Sequence, residues 1–153
     1  MMCHLRPMNA YEFEHYAKPA IKEYAEELTK SGSCVEADSM SQAKKTFSFL
    51  LPDGIESKEQ YLFHVINETD AIIGMIWFGL KPNNEGFIYD FSINESFREQ
   101  GFGTKTMKLI EAEAKKHDIK KLGLHVFGHN LAAISLYKKL DYKIYSMNMS
   151  KEI

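Results

Sequence analysis

"SFREQGFGTKTM", Ser96 to Met107, sets an arginine three residues ahead of the first of two glycines and leads into a helical pattern. Glycine allows close backbone approach and takes positive φ without steric cost. The first N–H groups of a helix lack intrahelical partners, and the helix dipole adds partial positive charge there. A glycine turn that opens a helix therefore suits a phosphate or pyrophosphate. It serves equally as a tight turn and cap that bind nothing. A P-loop is excluded, because Gly103-Thr104-Lys105 does not supply its Gly-Lys-Ser/Thr ending. A dinucleotide fingerprint needs a third glycine or alanine where Thr106 stands, and an early strand of a parallel sheet before it.

Upstream of the turn the chain has the period of strands. "YLFHVIN" (61–67) and "AIIGMIWFGL" (71–80), joined by the turn "NETD", predict an antiparallel hairpin. "FIYDFSI" (87–93) is a third strand after the turn "KPNNEG". Downstream, Met107, Ile110 and Ala114 share one face of a helix. A strand "KLGLHVF" (121–127), a helix starting near Asn130 and a last strand "YKIYSMNMS" (142–150) follow. At the other end, "HLRPM" predicts a short strand. Asn9 and Glu12 form a capping box for a helix to about Lys30, which Pro19 should kink or split. Ser39 and Gln42 predict a second capping box and a shorter helix to about Leu51.

The order β-α-α-β-β-β-α-β-α-β, with a right-handed parallel crossover from Phe87 to Phe127, predicts an α/β (α+β) fold. Its sheet is mixed and mostly antiparallel, with helices on both faces. The 153 residues are expected to form a single domain spanning 1–153.

Composition is that of a globular chain, 44% hydrophobic and 26% charged, with formal net charge -2. That balance argues against nucleic acid as the main partner. No apolar run is long enough for a bilayer span, and no signal peptide is visible, so a cytoplasmic protein without membrane attachment is expected. Cys3 and Cys34, the two cysteines, fit free thiols in a reducing compartment. No His/Cys/Asp/Glu cluster has metal-ligand spacing, and no metal is expected.

Arg98-x-x-Gly101-x-Gly103 after "FIYDFSI", followed by "HVFGHNLAAISLYKKLDYK", resembles the GCN5-related N-acetyltransferase (GNAT) family. The likeness runs from about Leu62 onward, and the strand order extends it to the N-terminal part. Two positions depart from the pattern. Asp141 stands where glycine is usual, a position that asks for left-handed backbone. Glu99 stands where glycine or lysine is frequent; its carboxylate should face solvent and leave only its backbone for a ligand.

The resemblance implies the acyl-CoA N-acyltransferase fold and acetyl-CoA as cosubstrate. It implies that the backbone of Arg98, Glu99, Gln100, Gly101, Phe102, Gly103 and Thr104 surrounds the pyrophosphate. The pantetheine arm would pair with Phe91, Ser92 and Ile93, entering where the two parallel strands splay. The Asn130 side chain would bond a cofactor amide. Tyr137 would give a proton to the leaving thiolate; it also fits a tyrosine packed on the core face of "ISLYKKL". Asp90 is the one acid inside its strand and alternates with Phe91. It could anchor a cationic acceptor, relay its proton, or act as a structural acceptor. His125 is a second candidate base; His64 and His129 receive no role.

The acceptor would be a small-molecule or peptide amine, bound near the first two helices. Glu23, Glu26, Glu27, Glu36 and Asp38 there would favour a cation or form a solvated face. A homodimer is compatible with this reading. So is a different class of protein, a non-catalytic acyl-CoA sensor or partner-binding module on the same fold.

Overall fold

The structure is a computed structural model that describes residues 2–153. Its elements are β1 (Cys3–Pro7), α1 (Ala10–Lys30), α2 (Glu36–Leu50), β2 (Gln60–Asn67), β3 (Ile72–Lys81), β4 (Glu85–Ile93), α3 (Phe102–Lys116), β5 (Lys121–Leu124) and α4 (Leu131–Lys139). The five strands form one sheet in the order β1-β2-β3-β4-β5. β1 to β4 pair antiparallel, and β4 pairs parallel to β5. The mixed, mostly antiparallel sheet is the expected one.

Strand alternation supplies two apolar faces. Leu62, Met75 and Trp77 pack against Phe13, Ala20 and Phe47 of α1 and α2. Phe63, Ile76, Phe78 and Ile88 pack against Met107, Ile110 and Ala114, the face of α3 read from the sequence. Trp77, Phe78 and Ile76 are essentially fully buried. Each such side chain contributes roughly 1.5–3 kcal/mol by leaving water.

The first capping box is present: Asn9 accepts from the Glu12 N–H at 2.8 Å, and Glu12 accepts from the Asn9 N–H at 3.1 Å. Three expectations are corrected. Of the two outcomes expected at Pro19, the split is ruled out: α1 is one helix through it. The proline lies on the exposed side, where water can reach the His15 carbonyl deprived of its N–H donor. Ser39 does not cap α2. The helix begins at Glu36 after Val35, and Ser39 is buried inside it, its hydroxyl bonded to the Val35 carbonyl and to Thr29 Oγ1.

The third correction concerns "YKIYSMNMS". It forms no strand; residues 143–153 hold no regular element. β5 is also shorter than "KLGLHVF", ending at Leu124. The helix after it does start at Asn130, whose side chain caps α4. Cys3 and Cys34 are free and partly buried.

Candidate active site

The ladder between β4 and β5 runs only from Glu85↔Lys121 to Ile88↔Leu124. Beyond Ile88, β4 keeps its pairing to β3 as far as Ile93 but has no strand partner on the β5 side. The expected splay of the two parallel strands is therefore present. A bulge accompanies it: Trp77 pairs with Asp90, whereas its neighbour Phe78 pairs with Ile88. Tyr89 is the extra residue, and bulges of this kind bend a strand and re-aim its side chains. Tyr89 and the Asp90 partner Tyr16 both pack with the α1–α2 core, while Phe91 packs on the α3 side.

The splay opens a cleft of about 630 Å3. Asp90, Phe91 and Ser92 of β4, Asn130 and Tyr137 of α4, and His125 all line it. Aromatic rings from Tyr16, Tyr24, Trp77, Tyr89 and Phe127 form much of the remaining wall. Of the five acids read as an acceptor patch, Glu23 and Glu27 line the cleft; Glu26, Glu36 and Asp38 do not. Glu36 and Asp38 instead sit in the first turn of α2, where they complement the helix dipole.

Asp90 is held by Tyr16, whose hydroxyl donates to Oδ2 at 2.6 Å. Burial pushes the Asp90 carboxyl above its ordinary range; the Tyr16 hydroxyl and the Phe91 N–H act in the opposite direction. Burial and then the Asp90 charge hold the Tyr16 phenol well above its usual range, so the shared proton resides on Tyr16. Glu23 is also pushed up, by burial first and then by Asp90, Glu27 and Glu26. The acidic side chains of Asp90, Glu23 and Glu27 thus all stand on the walls of the cleft.

Tyr137 lies across from this group. Burial, with the Asp90 charge second, raises its phenol to about 12, so it remains protonated at neutral pH. Its ring also packs with the α3 core and meets Tyr142 edge-on. Asn130 uses its side-chain oxygen to accept the Ala133 N–H at 3.2 Å, which leaves its Nδ2 as the group available to a ligand. His125 is exposed, stacked edge-on against Phe127 rather than held in the interior. His129 does have a partner: its Nε2 bonds Glu27, tying the β5–α4 loop to α1.

The glycine turn stands outside the cleft lining but adjoins it. Arg98 Nε donates to the Ile93 carbonyl at 2.7 Å, fastening the turn to the end of β4. Glu99 and Gly101 both have left-handed backbone, at φ 61 and φ 85. Glu99 is exposed, as its carboxylate requires, and Gln100 is exposed too. Gly101 is the N-cap of α3 and supplies no side-chain cap. The N–H groups of Phe102, Gly103 and Thr104 head the helix without intrahelical partners. The two glycines differ in kind. A side chain on Gly101 would meet nothing within 4 Å, whereas a Cβ on Gly103 would lie 3.2 Å from Leu136 of α4. Phe102 is buried against Ile93 and Phe97.

Tyr16 was not singled out by the sequence. Its signal is helical spacing: Tyr16, Glu23 and Glu27 fall on one side of α1. Asp141 takes φ 68, the left-handed conformation expected of it. Among the described residues no helix is long and apolar enough to cross a membrane, and no group of three His, Cys, Asp or Glu side chains could hold a metal ion.

The model of the acetyltransferase (GNAT) family matches residues 16–142. The uncharacterized N-acetyltransferase YycN of Bacillus subtilis is 35% identical over 153 residues, covering 97% of each chain. YdgE of the same organism, also an uncharacterized N-acetyltransferase, is 28% identical over 152 residues, again 97% of each. The crystal structure of YycN superposes with a TM-score of 0.93 over 99% of both chains. With most of its length matched by the family model, this chain belongs to the GNAT family of acetyltransferases.

Proposed function

We propose that the protein moves the acetyl group of acetyl-CoA to a primary amine by direct attack. The observation that carries this reading is the opening between β4 and β5, with Asp90 and Tyr137 both on its wall. Two features suit the cosubstrate. The β4 edge beyond Ile88 offers backbone groups to an extended arm at Phe91, Ser92 and Ile93. The bare Gly101 cap leaves the first N–H groups of α3 open to a pyrophosphate. Arg98 holds that turn to the end of β4.

Acetyl-CoA supplies an activated thioester when bound. The residues of this chain orient the partners and hold protons. Tyr137 keeps its hydroxyl proton at neutral pH and offers it to the departing sulfur. Asp90, with Tyr16 behind it, accepts the proton of the amine, directly or through water. Glu23 and Glu27 favour an acceptor that carries positive charge. The aromatic walls suit its apolar part.

The test is thiol release from acetyl-CoA across a panel of cationic and neutral amines. Turnover with cationic amines supports the reading. Acetyl-CoA binding without turnover on any amine would place the chain among acyl-CoA-binding sensors instead.

A further inference from the structure

Asp90 is held by the Tyr16 hydroxyl, but the hydroxyl of Tyr137 has no hydrogen-bond partner among the described residues. Rotation about χ1 alone would carry that hydroxyl off the cleft wall that Tyr137 lines. Its aim is therefore set by whatever holds the end of α4 and the ring.

The end of α4 folds back on itself. Asp141 takes left-handed backbone at φ 68. Around it, the Tyr142 N–H bonds to the Tyr137 carbonyl at 3.0 Å and the Asp141 N–H bonds to the Lys138 carbonyl at 3.1 Å. This is a Schellman ending, in which the outer residue packs on the one five positions earlier. Here those two are Tyr142 and Tyr137, with ring centroids 6.0 Å apart and planes at 62°. Tyr142 is in turn anchored outside α4: its hydroxyl donates to Glu111 Oε2 of α3 at 2.9 Å. Glu111 makes no ion pair among the described residues, so its carboxylate serves this bond. Burial first, and then the Glu111 carboxylate, hold the Tyr142 phenol well above its usual range, so the donor keeps its proton at neutral pH. α3 meets α4 a second time at Gly103, where a Cβ would lie 3.2 Å from Leu136. Residues 103 and 111 are about 12 Å apart along the helix, so α3 fixes the pose of α4 at two separate points.

We propose that Glu111 is a positioning residue of the reaction: through Tyr142 it fixes the ring of Tyr137, and so the place of the hydroxyl that gives its proton to the departing sulfur. The helix that carries Glu111 also opens with the glycine turn. The acid and the turn assigned to the pyrophosphate thereby share one support. The proposal rests on Tyr137 as the acid of the reaction proposed above, whereas the geometry it asserts is read without turnover.

Glu111→Leu removes the acceptor, Tyr142→Phe removes the donor, and Glu111→Gln keeps a side-chain oxygen that can accept. Acetyl transfer is measured with acetyl-CoA and the amine turned over fastest in the panel above. Glu111→Leu and Tyr142→Phe are expected to lower kcat about three- to tenfold, less than loss of the acid itself, with KM for both substrates nearly unchanged. Glu111→Gln should restore most of the wild-type kcat. In a Tyr137→Phe background, Glu111→Leu should change kcat no further, because the hydroxyl it positions is gone. An equal loss in both backgrounds overturns the proposal, and so does a lower melting temperature with kcat kept. The ring of Tyr137 is also followed by NMR in protein carrying isotope-labelled tyrosine, its signal identified by its loss in Tyr137→Phe. That signal should shift in Glu111→Leu and return toward its wild-type place in Glu111→Gln. An unmoved signal in Glu111→Leu overturns the positioning role even where no amine is turned over. Full turnover in Tyr137→Phe overturns the acid reading itself, so the two failures are told apart.

Discussion

The Tyr16 hydroxyl and the Asp90 carboxylate meet at 2.6 Å although 74 residues separate them. The bond joins the middle of α1 to the strand beside the Tyr89 bulge. It places a donor behind Asp90 and leaves that acid on the cleft wall. Tyr16→Phe keeps the ring and deletes the donor. A partly buried carboxylate without its partner is expected to cost about 1–3 kcal/mol of stability. The bond favours the charged form, so its loss raises the Asp90 pKa further. The rising limb of the kcat profile should therefore move to higher pH, read from acetyl transfer at a series of pH values. A stability loss with an unmoved profile would leave Tyr16 a purely structural residue.

Asp90→Asn removes the charge at nearly constant shape. As a proton acceptor, Asp90 is expected to contribute roughly 10²–10⁴-fold to kcat. The loss should diminish at high pH, where the free amine is already neutral. A raised acceptor KM with kcat nearly kept would instead make it an electrostatic anchor. Steady-state kinetics at two pH values separates the outcomes.

Tyr137→Phe should lower kcat by about one to three orders of magnitude. Acetyl-CoA affinity, followed by calorimetry, should change little, since the ring and its contacts with the α3 core are retained. With its phenol raised to about 12, Tyr137 should produce no falling limb in the wild-type rate profile below that region.

The two glycines are expected to separate binding from folding. Gly101→Val puts its Cβ in open space but opposes φ 85, and it would cover the turn proposed to hold a pyrophosphate. CoA affinity should fall more than thermal stability predicts. Gly103→Val drives a side chain at Leu136 and should lower the melting temperature as well. A folded Gly101→Val protein with unchanged CoA affinity would remove the turn from the cosubstrate site.

His64 is nearly enclosed, its Nδ1 buried without a partner and its Nε2 3.5 Å from Glu12. Burial lowers its pKa, only partly offset by Glu12 and by the Gly74 backbone. The folded state therefore binds fewer protons than the unfolded state below the ordinary value of 6.5. Stability is full above that value and is lost as pH falls through the lower folded pKa. In His64→Leu the decline over that window should flatten, measured as the urea midpoint against pH. An unchanged slope would show that His64 is hydrated and titrates normally.

Local chemistry made most of the elements legible. Asn9 and Glu12 announce α1 because both halves of the cap lie three residues apart. Met107, Ile110 and Ala114 announce the buried face of α3 by period alone. Ser39 misleads for a physical reason: a serine bonded back to a carbonyl four residues earlier has the same sequence neighbours as a serine at a cap. The bulge at Tyr89 and the pairing of Tyr16 with Asp90 arise from contacts between distant segments, and no spacing rule encodes them. The segment after Tyr142 has strand-forming residues, but a strand also needs an edge in the right place, which its own sequence does not describe.

The opening beyond Ile88 is framed by the β3–β4 ladder on one side and by the loop that Asn130 ties to α4 on the other. An extended arm that enters it would find the β4 backbone already aligned by the β3 ladder. Little chain entropy would then be lost on association, and capture would be governed by diffusion and desolvation rather than by a slow closing step. The Ile93 amide, which faces away from β3, would report entry through slower hydrogen exchange, while exchange elsewhere in the sheet stayed as it was.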